Sequence, residues 1–231
     1  MRERLSTKSE KNMHSKVFFT LLLLLALSAS PLRAEEPART VVLPPLGGVS
    51  LEVPHPEGYV NLPESSSEFK AFAEQIQKAG PMRLLAVFRP AGAEPTPKKF
   101  LLICGQESFA MTPLGVKAML GVFKNMDWTA EARNWAKAHG KEDPNADTTQ
   151  MGLFAESDLS IAAATVAPSG DGSLLGTIMM VMIVEGKPLF FYFYESLASK
   201  DTLPALKTEA QRYLKVYEDT GRLRLNEAGG S

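Results

Sequence analysis

The residues of this chain that could carry out chemistry are few and stand far apart. Its only cysteine, Cys104, ends an apolar run and is followed by Gly105-Gln106, where a thiol nucleophile could be exposed on a turn. Such a nucleophile needs a neighbouring base, usually histidine, and the candidates are His55 and His139, neither of which lies in a catalytic motif. A free cysteine in an apolar run is more often a small buried side chain, which is the interpretation we favour.

The spacing of the potential ligands does not indicate a metal site. His55, His139 and Cys104 stand far apart in the sequence and lack the spacing of a zinc site. Residues 143–147 place oxygen atoms at alternate positions, as a calcium-binding loop begins, but Thr148 stands where Gly is required and Phe154 where Glu is required. A polar surface turn explains this loop. No phosphate-binding, dinucleotide-binding or serine-hydrolase motif occurs, so we expect no cofactor and favour a non-catalytic protein.

One segment combines aromatic and methionine side chains that could bind a partner. Met126 and Trp128 lie between two predicted helices, and Trp135 follows on the second of them. Because aromatic residues and Met are enriched at interface cores, these three are the candidate binding residues for an unknown protein or small ligand. The alternative is that Trp128 packs the second helix onto the first, since large rings usually pack within their own fold.

The N-terminal segment predicts export. Three lysines precede an apolar run at 17–29 that is short for a membrane span, and small residues follow it up to Ala34. This pattern is typical of a secretory signal peptide at residues 1–34. We expect a periplasmic or secreted protein, cleaved near Ala34 and without stable membrane insertion afterwards. An uncleaved anchor and a cut after Ala29 are the alternatives.

The charge balance changes when this leader is removed. Residues 1–34 carry six of the 25 basic and two of the 26 acidic residues, so 19 basic and 24 acidic residues remain, a net charge of −5. Phosphate contacts need clustered Lys and Arg, so this charge argues against nucleic acid as a partner. The single cysteine rules out an intramolecular disulfide, so the apolar core must hold the fold alone.

The rest of the chain predicts one domain at 48–222, between an extended Pro-rich linker at 35–47 and a flexible tail at 223–231. Apolar periodicity and turn signals place its elements. The predicted strands cover 48–53, 83–89, 99–105, 159–166, 177–184 and 189–194, and the predicted helices cover 66–79, 113–124, 129–139 and 203–220. Short connections favour an α+β fold, a largely antiparallel sheet with helices covering both faces (an α/β/α sandwich).

The strands at 177–184 and 189–194 are the centre of this prediction. They are apolar or aromatic at nearly every position, so both of their faces should be covered. Between them Gly186 can adopt a positive φ, which predicts an antiparallel hairpin with Pro188 at the edge of the turn. Asp201 and Thr202 offer side-chain oxygens for the N-terminus of the last helix, and Pro204 is tolerated in its first turn.

The order of these elements resembles a known fold family. A short strand running into residues 53–59, a late meander, the Gly186-Lys187 turn with an aromatic strand after it, and a final packed helix are similar to the Mog1/PsbP-like α/β/α sandwich. The resemblance covers most of residues 48–220 and is topological. Proteins of that fold are mostly non-catalytic accessory or binding modules, so the resemblance implies an exported accessory or binding protein. The alternative is a secreted hydrolase-like enzyme with Cys104 as its nucleophile.

Overall fold

The computed structural model describes residues 39–92, 99–107, 112–130, 133, 152–168, 173–220 and 223. The chain separates into two units, Met1–Pro37 and Ala38–Ser231. The first unit, which includes the predicted signal peptide and Ala34, lies outside the described residues. Among the described residues, no helix combines the length and the apolar character needed to cross a lipid bilayer.

Strands and helices follow one another in an order typical of an α+β fold. The strands are β1 (Thr40–Leu46), β2 (Val49–Pro54), β3 (Tyr59–Asn61), β4 (Arg83–Pro90), β5 (Lys99–Gly105), β6 (Gly152–Glu156), β7 (Ser160–Pro168), β8 (Leu174–Val184) and β9 (Lys187–Leu197). The described helices are α1 (Ser67–Ala79), α2 (Pro113–Lys124) and α3 (Leu203–Asp219). β1 and β2 form a two-stranded sheet, and the other strands form a seven-stranded sheet in the order β3-β4-β5-β9-β8-β7-β6. All seven strand pairings among the described residues are antiparallel, which confirms the predicted sheet.

Both faces of the large sheet are covered, as the apolar character of its central strands predicts. On one face, α3 and the β1–β2 hairpin pack on side chains such as Ile103 and Phe191. On the other face, α1 packs on Leu102 and its neighbours, and α2 packs on Val181 and its neighbours. Alternate residues of a strand point to opposite faces, so β5 and β9 contribute to both layers. The α/β/α arrangement is therefore confirmed.

The central hairpin closes through a two-residue turn. Val184 is paired with Lys187, and the two residues between them both have positive φ, 49° for Glu185 and 72° for Gly186. Positive φ at both positions is typical of the type I′ turn that matches the twist of antiparallel strands. Pro188 is already within β9, opposite Ile183, because so short a turn lets the ladder begin at Lys187. The sequence places Pro188 at the edge of the turn, whereas in the structure it is the second residue of β9.

Part of the expected linker at 35–47 is a paired strand. Thr40–Leu46 forms β1, which pairs with β2 and places Leu43 and Leu46 in the core. The prolines of β1, Pro44 and Pro45, fall where the pairing register shifts, so they interrupt the ladder without preventing it. The prediction of a linker was wrong for residues 40–46. Two adjacent prolines, which are typical of linkers, interrupt the alternation of apolar residues that would otherwise indicate a strand.

A side chain caps the start of α1 but not the start of α3. The Ser66 hydroxyl accepts a hydrogen bond from the Phe69 amide at 3.1 Å, so it caps α1. Thr202 makes no side-chain cap for α3, because it belongs to a 3₁₀ turn and its hydroxyl donates to the Ser199 carbonyl at 2.7 Å. Pro204 is tolerated in the first turn of α3, as expected.

Several predictions fall outside the part of the chain that the structure describes. These are most of the helix predicted at 129–139, with Trp135 and His139, the polar loop at 143–147, and the tail at 223–231 apart from Leu223.

Candidate ligand-binding surface

Cys104 lies in an environment unsuited to a nucleophile. None of its surface is exposed, and it packs in the apolar layer beneath α1. This burial raises the pKa of the Cys104 thiol to about 12, which keeps it protonated near neutral pH. The candidate base for Cys104 is His55. Its ring packs edge-on against the Phe88 ring, with 5.5 Å between the ring centroids. Phe88 belongs to the opposite layer of the sheet, so the structure does not bring Cys104 and His55 together.

Trp128 is largely buried, with 9% of its surface exposed. Its ring stacks on Phe123 in the last turn of α2, with 6.3 Å between centroids and 15° between planes. This is the packing role that the sequence leaves open as the alternative to partner binding. Met126 is half-buried beside it, and Trp135 lies outside the described residues. A joint binding role for Met126, Trp128 and Trp135 stays a prediction.

Four other rings form a continuous row on the face of the sheet that α1 and α2 cover. We call Phe72, Phe100, Tyr194 and Tyr192 the aromatic row. The centroid distances are 4.7 Å from Phe72 to Phe100, 4.9 Å from Phe100 to Tyr194 and 6.1 Å from Tyr194 to Tyr192. All four rings are half-buried, so each keeps some surface open to solvent. The row therefore differs from the sealed aromatic packing of Phe191 and Tyr217 in the opposite layer.

The aromatic row is assembled by strand register. Tyr192 and Tyr194 stand two residues apart on β9, so their side chains share one face of the sheet. Phe100 on β5 is directly opposite Tyr194 in the β5–β9 ladder. Phe72 reaches the row from α1, whose buried side rests on this layer. β5 and β9 are neighbours in the sheet although they are far apart in sequence, and local patterns cannot predict that contact.

A weaker signal for this surface was present in the sequence. The strand at 189–194 reads Leu-Phe-Phe-Tyr-Phe-Tyr, and its two tyrosines fall at alternate positions. Tyrosine combines an apolar ring with a hydroxyl that needs a partner or water. Two tyrosines on one face of an otherwise apolar strand therefore indicate a face that is not fully sealed.

Both phenols of the aromatic row stay protonated well above neutral pH. Burial is the main cause and raises the pKa of Tyr194 to about 12, with a smaller effect from nearby Cys104. Burial likewise raises the pKa of Tyr192 above the usual value, reinforced by Cys104 and Tyr194. Within the described residues, neither hydroxyl takes part in a hydrogen bond. The row thus presents two neutral donors in apolar surroundings.

A polar cluster on the opposite face has a different character. The Tyr59 hydroxyl donates to Glu209 at 2.6 Å, and the Lys99 ammonium bridges Glu209 and Glu195. Burial lowers the pKa of Lys99, but the two carboxylates outweigh it, and the net direction is upward. These contacts tie α3 to β3, β5 and β9. Because the four side chains satisfy one another, the cluster is explained as a structural link.

Within the ranges that the structure describes, no three His, Cys, Asp or Glu side chains lie close enough to share a metal ion. The sequence matches no protein-family model, and it matches neither a curated protein nor a solved structure.

Proposed function

We propose that this protein is an exported, non-catalytic binding module that engages its partner through the aromatic row. One observation carries the proposal. Tyr192 and Tyr194 stack side by side on a half-buried face, with protonated hydroxyls that make no hydrogen bond within the described residues. Both residues are half-buried, and neither hydroxyl is among the buried polar atoms that lack a partner, so water can reach them. A bound partner could accept from these hydroxyls in place of water.

The chemistry of the aromatic row restricts what it could bind. Its rings offer flat apolar surfaces for stacking, and its two hydroxyls offer donors. The rings belong to an apolar and aromatic cluster beneath α1, and on the same side Arg89 of β4 is already paired with Glu68 of α1 at 3.6 Å. A charged ligand would therefore lose hydration at the rings and find Arg89 already neutralised. The favoured partner is a neutral segment of another exported protein, with carbonyl groups that accept from the phenols.

The non-catalytic role is supported by the state of the candidate nucleophile and by the resemblance to the Mog1/PsbP-like sandwich, whose members are mostly accessory or binding modules. Cys104 is buried, its thiol pKa is raised to about 12, and His55 lies in the other layer. The hydrolase-like alternative needs a thiolate that the solvent can reach.

The binding role is tested by removing the two hydroxyls and keeping the rings. The purified protein and its Tyr192→Phe/Tyr194→Phe variant are immobilised and exposed to a periplasmic extract. We expect a protein that the wild type retains and the double variant loses, because each hydroxyl contributes about 0.5–1.5 kcal/mol of net hydrogen-bond energy. The identified partner is then titrated calorimetrically.

The matched control is Tyr59→Phe, which removes a hydroxyl from the opposite face of the sheet. It should retain the partner with unchanged affinity while staying folded by circular dichroism. If the double variant binds the purified partner as tightly as the wild type, the aromatic row is not the binding surface.

Export is tested by N-terminal sequencing of the protein recovered from its native host. The charged start, the apolar run and the small residues up to Ala34 predict a mature chain that begins near Glu35. A membrane-bound product that retains Met1 would contradict the exported, cleaved form.

A further inference from the structure

We draw no further inference here: the strongest candidate, the outward face of α2, where Leu114 is 78% exposed and Val122 is 64% exposed, is an apolar helix face, and nothing in the structure shows what covers it.

Discussion

At the scale of single residues, exposure to solvent determines whether a thiol or a hydroxyl in the sheet layer is available for reaction or hydrogen bonding. Cys104 and the phenols of Tyr192 and Tyr194 occupy the same face of the sheet, and burial raises the pKa of all three groups. The thiol has no exposed surface, whereas the two tyrosine residues keep part of theirs. One layer therefore contains both an inert thiol and two available donors.

The inertness of Cys104 predicts its rate of alkylation. With a thiol pKa of about 12, only about one molecule in 10⁴ carries the thiolate at pH 8, and the sulfur is inaccessible. We expect iodoacetamide to label the native protein negligibly and the guanidinium-unfolded protein completely, as followed by mass spectrometry. The control is Val42→Cys in a Cys104→Ala background, since Val42 is 64% exposed and should be labelled rapidly. Rapid labelling of native Cys104 would contradict its burial and support the hypothesis that it is a nucleophile.

At the scale of elements, the strong local patterns were predictable. The helix that begins after Ser66 and the hairpin around Gly186 follow from capping oxygens, turn residues and apolar runs, which act over a few neighbours. β1 was missed because its prolines look like a linker. β3 and β6 were missed because strands of three and five residues carry too little periodicity, and β6 also contains a bulge. Short strands are defined by their partners more than by their own sequence.

The junction after α2 is an element-scale feature with a measurable energy. Trp128 stacks on Phe123 and is 9% exposed, so it fixes the chain that follows α2 onto that helix. We expect Trp128→Ala to lower the free energy of unfolding by about 3–5 kcal/mol, measured by urea denaturation, because truncation of a buried large ring leaves a cavity.

The control for this substitution is Leu114→Ala on the outward side of α2, where Leu114 is 78% exposed. It should change stability by no more than about 0.5 kcal/mol. Stability unchanged by Trp128→Ala, together with lost capture of the partner, would instead assign Trp128 to a binding surface with Met126.

At the scale of the whole molecule, contacts between distant segments create the candidate site. The chain places β9 between β5 and β8, and this order puts Phe100 opposite Tyr194. Periodicity predicts that each strand is covered, but it does not predict which strand lies beside which. The aromatic row could therefore be inferred from the sequence only as a pair of unusual tyrosines. Its four-ring continuity depends on the pairing of β5 with β9 and on the packing of α1 over them.

The same burial makes the whole molecule sensitive to alkali. Tyr59, Tyr192, Tyr194 and Tyr213 all have a phenol pKa raised above the usual value of about 10, with burial as the main cause, and the pKa of Cys104 is also raised. Below about pH 8 these groups are largely protonated in both the folded and the unfolded chain, so their contribution to stability is fully present. As the pH rises past about 8.5 for the thiol and about 10 for the phenols, the unfolded chain loses protons that the folded chain retains. Each such group then lowers the free energy of unfolding by about 1.4 kcal/mol per pH unit, until the folded group itself titrates.

We therefore expect urea denaturation, followed by circular dichroism, to give a constant unfolding free energy near pH 8 and a steep decline between pH 10 and pH 11. Tyrosine absorbance near 295 nm should rise together with unfolding, because the buried phenols ionise only when they are exposed.

Tyr213→Phe is the informative variant. It loses the hydrogen bond from Tyr213 to the Pro54 carbonyl, at 2.8 Å, and so should be less stable at pH 8. It also removes one phenol with a raised pKa. Above pH 10 its free energy of unfolding should therefore fall by about 1.4 kcal/mol per pH unit less than that of the wild type. A free energy of unfolding that stays level from pH 8 to pH 11, with tyrosines ionising in the folded protein near pH 10, would contradict the burial of these phenols.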